Sequence, residues 1–281
     1  YLKGENAGNI GLDSSGLSNN WTVNGTNVYQ SEDTPSNNFA ILNYDTSTQA
    51  SGYGRVINGG TTISMNNDTY SFGNAATTLA VSKGKWYLEA KATGTGGYNY
   101  IGFCVYGDFK GSGKRSSIDP TVQTDNSAWM FQLSTNSSYQ LKKVKHDNAD
   151  VLTSFGPTIA QNDIIMMALD LDNGKCWWGV NGTWLDSGSG TGVPASGTYA
   201  HVTFTQNPSG EGTTPVFYAP LFTTYGFAGT SELQINFGAT GKFGNTALSS
   251  AVADNGGYGT FEYTPPSGFY SLCTKNIATY G

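Results

Sequence analysis

The stretch Asp163–Trp184, DIIMMALDLDNGKCWWGVNGTW, constrains the fold more than any other part of the chain. Two apolar runs, Ile164–Leu171 and Cys176–Val180, flank Asp172-Asn173-Gly174-Lys175. An Asn-Gly pair between such runs predicts a hairpin with a type I′ turn, because both central residues need positive φ, which Asn tolerates and Gly adopts freely. A second pair, Asn181-Gly182, turns the chain again at once. Ile164–Leu169 is apolar on both alternating faces, as in a central strand covered on both sides. Its length and the two turns favour strand over a short buried helix.

The composition agrees. Only 12% of the 281 residues are charged, 38 are Gly, and the aromatic share is 13%. Such a chain is rich in strands and turns, yet has enough large rings to build a core. The net charge of −6, with no basic run longer than Lys142-Lys143-Val144-Lys145, lacks the electrostatic footprint of a nucleic-acid partner. Cys104, Cys176 and Cys273 sit apart in apolar contexts and read as buried thiols suited to a reducing cytosol. No apolar stretch approaches a membrane span or a signal-peptide core, so membrane insertion is not expected. The first residue is Tyr1 rather than Met, which suggests a segment of something longer or a processed product.

Along the chain, residues 1 to about 60 form a loop-rich lead-in with turn chemistry at Asp33-Thr34-Pro35-Ser36 and a strand candidate at Phe39–Leu42. Asp13–Trp21 has too few carboxylates for a calcium loop and reads as a turn. Half-exposed strands are expected at Thr61–Met65 and Tyr70–Phe72. In Gly84–Ala92, Trp86, Leu88, Ala90 and Ala92 alternate with Tyr87, Glu89 and Lys91, predicting one core face and one wet face. Tyr98–Tyr106 is the next strand. A polar loop follows over 109–125, then a hairpin of Ala128–Leu133 with Tyr139–Lys142. Tyr199–Thr205 alternates as a strand, and Pro208–Gly212 reads as a turn. The prolines around Pro215–Phe222 predict an edge strand or a strand boundary. Leu233–Gly238 should close the sandwich. With no fixed-period repeat, these short strands predict an all-β, antiparallel β-sandwich or barrel.

Several of these segments resemble the SPRY domain in order and spacing: Gly84–Glu89, Ile101-Gly102-Phe103, Asp163-Ile164, Leu169–Gly174, Val180-Asn181-Gly182 and Tyr218–Phe222. The resemblance spans about Lys83 to Phe237. It implies a concanavalin-like jelly roll of two antiparallel sheets, non-enzymatic, that binds peptides or other ligands with loops at one end. The flanks Asp13–Gly16, Asn20–Thr22, Asp33–Ala40, Pro265–Phe269 and Leu272–Asn276 resemble SPRY-containing structural proteins of tailed bacteriophages. That resemblance implies a virion component such as a fibre, spike or decoration module, assembled in the bacterial cytoplasm and exposed on the particle exterior. Its partners would be other virion proteins, copies of itself, and a host-surface glycan or receptor. The expected organisation is a loop-rich N-terminal region over 1–80, the sandwich over 81–240 and a C-terminal extension over 241–281.

A search for chemistry returns little. A glycosidase on such a fold needs two carboxylates across a cleft, and no Glu-x-Asp-x-Glu strand occurs. Asp170 and Asp172 border a turn and read as solvated turn residues. His146 and His201 lack a recognisable nucleophile motif. Gly111-Ser112-Gly113-Lys114 lacks the spacing of a phosphate loop and reads as a flexible loop. No catalytic residue, metal ligand or cofactor is assigned. Trp177 and Trp178 point to opposite faces and read mainly as core. The candidate ligand-binding residues are aromatics beside loops: Tyr98, Tyr100, Trp129, Trp184 and Tyr199. A carbohydrate-binding module of a soluble or cellular protein is the alternative reading, and a polysaccharide hydrolase a more distant one.

Overall fold

The computed structural model describes residues 4, 8–24, 31, 33–43, 55–65, 72–106, 128–135, 142–146, 149–153, 155–206, 215–226 and 229–281. The loops read at 109–125 and 208–212 lie outside these residues, as does most of the strand read at Tyr139–Lys142. In chain order the strands are β1 Leu42–Asn43, β2 Arg55–Ile57, β3 Thr62–Met65, β4 Phe72–Thr77, β5 Lys85–Ala92, β6 Tyr98–Val105, β7 Ala128–Leu133, β8 Lys143–His146, β9 Ala149–Leu152 and β10 Ile164–Asp170. They continue with β11 Lys175–Val180, β12 Thr183–Trp184, β13 Val202–Thr203, β14 Tyr218–Tyr225, β15 Ser231–Asn236, β16 Lys242–Phe243, β17 Thr246–Ala247, β18 Val252–Ala253, β19 Thr260–Phe261 and β20 Tyr270–Ser271. A helix, α1, spans Thr274–Tyr280.

Two mainly antiparallel sheets make the expected all-β sandwich. The first has seven strands in the order β1-β4-β14-β6-β7-β8-β9, and the second nine, running β12-β11-β10-β5-β15-β3-β2 with β13 added on β11 and β20 on β5. The inner faces carry Trp86, Leu88, Ala90 and Ala92 of β5 against Ile101, Phe103, Phe131 and Phe222 of the facing sheet, all in one buried cluster. The strand paired with β7 is Lys143–His146, four residues beyond the expected hairpin partner.

The central hairpin forms as expected in β10 and β11, but its two turns differ. Asp170 pairs with Lys175 across a four-residue loop in which Gly174 has φ 59 while Asn173 is not among the positive-φ residues, so this turn is not type I′. Asn181 (φ 48) and Gly182 (φ 83), closing Val180 onto Thr183, do meet the type I′ requirement. Asp170, expected to be solvated, is buried. Its carboxylate pairs with the Lys85 ammonium at 3.0 Å and accepts hydrogen bonds from the Asn173 backbone and side-chain amides at 3.0 and 2.8 Å. Asp172 accepts from the Gly84 amide at 2.7 Å, tying the turn to the start of β5.

Two further expectations are overturned. First, β14 is central rather than an edge, although Pro220 lies inside it. Tyr218 exchanges both backbone hydrogen bonds with Val81. Pro220, two residues on, faces the same side, and the β4 ladder there begins only at Leu221, so the missing N–H falls in a gap. β15, expected to close the sandwich, runs between β5 and β3. Second, the face of β5 read as wet is covered, with Tyr87 1% and Glu89 0% exposed. The covering segment is the C-terminal stretch, whose Phe261 and Phe269 pack with Tyr87, Met166, Ala168 and Trp177 in a second cluster.

Glu89 fastens that cover. Its carboxylate accepts from the Tyr87 hydroxyl at 2.9 Å, the Glu262 amide at 2.9 Å, the Tyr263 amide at 2.8 Å and the Asn236 side chain at 3.4 Å. Burial pushes its pKa above the ordinary carboxylate value, while the four donors pull it back. Asp254 fixes the next part of the cover by accepting from Ser271 N, Asn276 Nδ2 and Tyr258 N at 2.8, 2.9 and 2.9 Å. The N-terminal lead-in completes the assembly. Ala40 N donates to Leu272 O and Thr274 N to Asn38 O, each at 2.9 Å, while Asn38 N reaches Thr274 Oγ1 at 2.9 Å.

Replacing Glu89 with Ala leaves two buried amides and a phenol without their acceptor, and a loss of about 3 kcal/mol or more is expected in the urea-unfolding free energy. Tyr87→Phe removes one donor only and should cost about 1 kcal/mol.

Candidate functional site

The five candidate aromatics do not converge. Tyr98 and Tyr100, at alternate positions of β6, lie on the outer face of the seven-stranded sheet. Tyr98 is half-buried and stacks on its cross-strand partner Tyr225, with centroids 6.0 Å apart and planes 9° from parallel. Tyr100 is buried, and its phenol oxygen accepts from Gln132 Nε2 at 2.7 Å. Trp129 is interior: it stacks between Phe103 at 5.0 Å and His146 at 4.3 Å, both nearly parallel to it. Packing occupies these two rings, so neither Tyr100 nor Trp129 is presented to solvent.

Trp184 and Tyr199 lie on β12 and on the connection that follows it. Trp184 is half-buried on β12, its edge toward Tyr87 at 6.4 Å, and packs with Tyr263 against the cluster beneath the C-terminal cover. Tyr199 belongs to the loop joining β12 to β13. That loop is held against β11 by Trp177 Nε1 donating to Thr198 O at 2.9 Å and Lys175 Nζ donating to Gly197 O at 2.7 Å. Tyr199 adopts φ 52, a left-handed conformation unfavourable for a bulky residue, and remains 50% exposed. Its ring lies over Gly190, where an added Cβ would stand 3.0 Å from the ring carbons. Val193, also exposed, shares this loop. A half-exposed aromatic on a braced loop is preorganised for contact, because little further ordering is needed on binding.

A second exposed group went unnoticed in the sequence. Leu17 is 74% and Trp21 70% exposed, with Leu12 and Val23 also exposed. They stand on a clip closed by the bond from Trp21 N to Gly11 O at 2.8 Å. Asp13 organises it, accepting from the Ser15 hydroxyl at 2.6 Å, the Ser15 amide at 2.9 Å and the Asn19 amide at 3.0 Å. The Ser15 hydroxyl and amide are the main reasons its carboxyl is held well below the usual range. These donors occupy the carboxylate as an Asx turn does, in accord with the turn reading of Asp13–Trp21. The usable signal was an aromatic and a Leu in an Asn/Ser-rich segment with no strand period to bury them.

The groups raised as possible chemistry have structural partners. Trp177 and Trp178 are both fully buried. His201 lies between the sheets beside Trp178 and Phe155, with centroids 6.1 and 4.6 Å away. Its Nδ1 accepts from Trp178 N at 2.8 Å and its Nε2 lies 2.9 Å from Leu185 O, so the two partners select the tautomer protonated at Nε2. Burial lowers its pKa from 6.5 to about 4. Among the described residues, no three His, Cys, Asp or Glu side chains are grouped to hold a metal ion.

No family model and no curated protein matches the sequence. Among solved structures, the chain is similar to the SPRY domain of human HERC1, at TM-score 0.42 and 15% identity, over 65% of this chain and 91% of that one. It is also similar to another human SPRY domain, at TM-score 0.36 and 11% identity, over 63% and 91% of the two chains.

The unfolded chain takes up the His201 proton near pH 6.5 and the folded chain only near pH 4, so acid favours unfolding. The contribution of neutral His201 is complete above pH 6.5 and is lost as pH falls toward 4, amounting to about 3 kcal/mol. Urea titrations across this window should show that slope, and His201→Phe, though less stable at pH 7, should flatten it.

Proposed function

We propose that this chain is a non-enzymatic structural and adhesion module of a tailed-phage virion, displayed on the particle exterior. The carrying observation is that two of the flanks whose sequences resemble phage structural proteins, Asp33–Ala40 and Leu272–Asn276, join into one unit. Asn37 and Asn38 bond to Lys275 and Thr274, and Phe39 bridges to Cys273. Motifs more than 230 residues apart in sequence are thereby explained by a shared structural task. They attach the lead-in to the covered sandwich. The conspicuous carboxylates, the buried histidine and the paired tryptophans are committed to packing and hydrogen bonds within the fold, while Leu17, Trp21, Val193 and Tyr199 face outward. This division favours contact over chemistry. The partners would be neighbouring virion proteins and further copies of the chain.

A carbohydrate-binding role is favoured by one specific observation, the nearly parallel, half-buried pair Tyr98–Tyr225. Aromatic faces of this kind accept sugar rings. The pair would serve the same module as a host-glycan contact.

Mass spectrometry of gradient-purified particles should find the chain at a fixed copy number, and a map of the intact particle should place it on the exterior. Its absence from particles, or polysaccharide turnover abolished by replacing one carboxylate, would overturn the reading. Trp21→Ala and Tyr199→Ala should leave unfolding free energy within about 0.5 kcal/mol of the parent but reduce incorporation or attachment. Tyr225→Ala tests the glycan contact by loss of binding on a glycan array.

A further inference from the structure

Five Asn-Gly pairs occur in the chain, at Asn24, Asn58, Asn173, Asn181 and Asn255. Chemically they are equivalent, since a following glycine leaves its amide nitrogen unshielded by any side chain and free to approach the asparagine Cγ. The fold makes them unequal. Four pairs lie wholly within the described residues, Asn24-Gly25 extending beyond them.

In three of the four, both partners are held. Gly174 accepts from Phe204 N at 2.8 Å and faces the Phe204 carbonyl so closely that an added Cβ would stand 2.1 Å from its oxygen, while Asn173 is bound twice to Asp170. Gly182 lies against the Tyr263 ring, 3.0 Å from such a Cβ, and the Asn181 side chain both accepts from Ile164 N and donates to Asp163, at 2.9 and 2.7 Å. Gly256 is closed off by Asn276 Oδ1 at 2.3 Å from the same position, and Asn255 Nδ2 donates to the carbonyls of Pro266 and Phe269 at 2.8 and 2.7 Å.

Asn58-Gly59 differs in its exposure and in the space around its glycine. Both residues are exposed in the connection between β2 and β3, and the space around Gly59 is open to at least 4 Å. The Asn58 amide has one side-chain bond, to Thr62 Oγ1 at 3.0 Å, and its carbonyl accepts from Thr61 N and Oγ1 at 3.3 and 2.8 Å. Asn58 carries φ 54 much as Asn181 carries φ 48, so the distinction between them rests on exposure and on the open space at the glycine.

We infer that Asn58 is a site of spontaneous deamidation, the first of these four to convert in the folded protein. The Gly59 nitrogen, having lost its proton to solvent base, attacks Asn58 Cγ. The new C–N bond closes a succinimide as the Cγ–Nδ2 bond breaks, and ammonia leaves with a proton from solvent. Water then opens the ring at either carbonyl, giving Asp or isoaspartate and adding one negative charge. The isoaspartate product lengthens the backbone of the connection by one carbon. That loosens the contact of Gly60 with Ile41, where an added Cβ would stand 2.9 Å away, and weakens the pairing of Ile57 with Thr62.

The test is peptide mapping of the intact chain aged at pH 8, scoring a mass gain of about one dalton at each Asn-Gly and isoaspartate by electron-transfer fragmentation. Conversion at Asn58 should outpace that at Asn173, Asn181 and Asn255 by about fivefold or more, the factor associated with one net hydrogen bond. In chain unfolded in urea the four rates should converge. Slower conversion at Asn58 than at any of the three, or the same ranking in urea as in the fold, would overturn the inference. Asn58→Gln should abolish the early product without altering the other three rates.

Discussion

A buried carboxylate at position 89 ties together three distant parts of the chain, and the architecture around it depends on that connection. Taking a charge out of water costs several kcal/mol unless donors replace the lost solvent. Here the replacement comes from Tyr87 on the same strand, Asn236 on the neighbouring strand and two consecutive amides of the C-terminal stretch. Without the 262–263 backbone over it, Glu89 would need water on a face that also carries Tyr87, Met166, Ala168 and Trp177. The cover and the sheet thus require each other. The same arrangement closes the outer face of β5, β10 and β11 around Tyr87, Met166, Ala168 and Trp177 to solvent.

What was legible in the sequence follows from how far each signal reaches. Apolar alternation in Trp86, Leu88, Ala90 and Ala92 identified an inner face correctly, because burial of those side chains is favoured whichever partner covers them. The complementary set, Tyr87, Glu89 and Lys91, was misread, since polarity at alternate positions signals a wet face only if nothing returns to cover it. The covering backbone lies more than 170 residues away in sequence. Pro220 was misread for a similar reason: a missing N–H excludes a ladder bond on one side only, and which side depends on where the neighbouring strand ends. The Asn-Gly turns show the limit of a local rule. Asn181-Gly182 satisfies it, whereas at Asn173-Gly174 the Asp170 carboxylate binds the Asn173 amide and a longer connection results.

The candidate binding residues divide along the same line. Position beside a loop is a matter of sequence neighbourhood, but exposure is set by cross-strand neighbours. Tyr100 is claimed by Gln132, and Trp129 by Phe103 and His146, none of them adjacent in sequence. Tyr199 remains exposed because its own loop is braced from below through Thr198 and Gly197, which fixes the backbone and leaves the ring outside. Trp21 was passed over because its segment has no period. For a large apolar residue between turns, lack of a period is itself informative: no regular element is available to carry it into a core.

The flanks bear on what must be present for the sandwich to be complete. Residues 83–237 supply most of both sheets, but β20, residues 270–271, occupies the part of the β5 edge that β15 leaves open, and Ala40 bonds to Leu272 just beyond it. The lead-in therefore rests on the C-terminal stretch, which rests on β5 and Glu89. Removing either flank would expose apolar area or strand edge on the remainder, and each exposed element carries both a stability cost and a pairing hazard. The extensions cover part of one sheet face, join the two flanking motifs and carry the exposed Trp21. The loops of the central hairpin retain a different task. Asp170 and Asp172 tie the hairpin to the start of β5, and Asn181 ties the second turn to the start of β10, while Trp177 and Lys175 of β11 brace the loop that holds Tyr199 in its left-handed, exposed conformation.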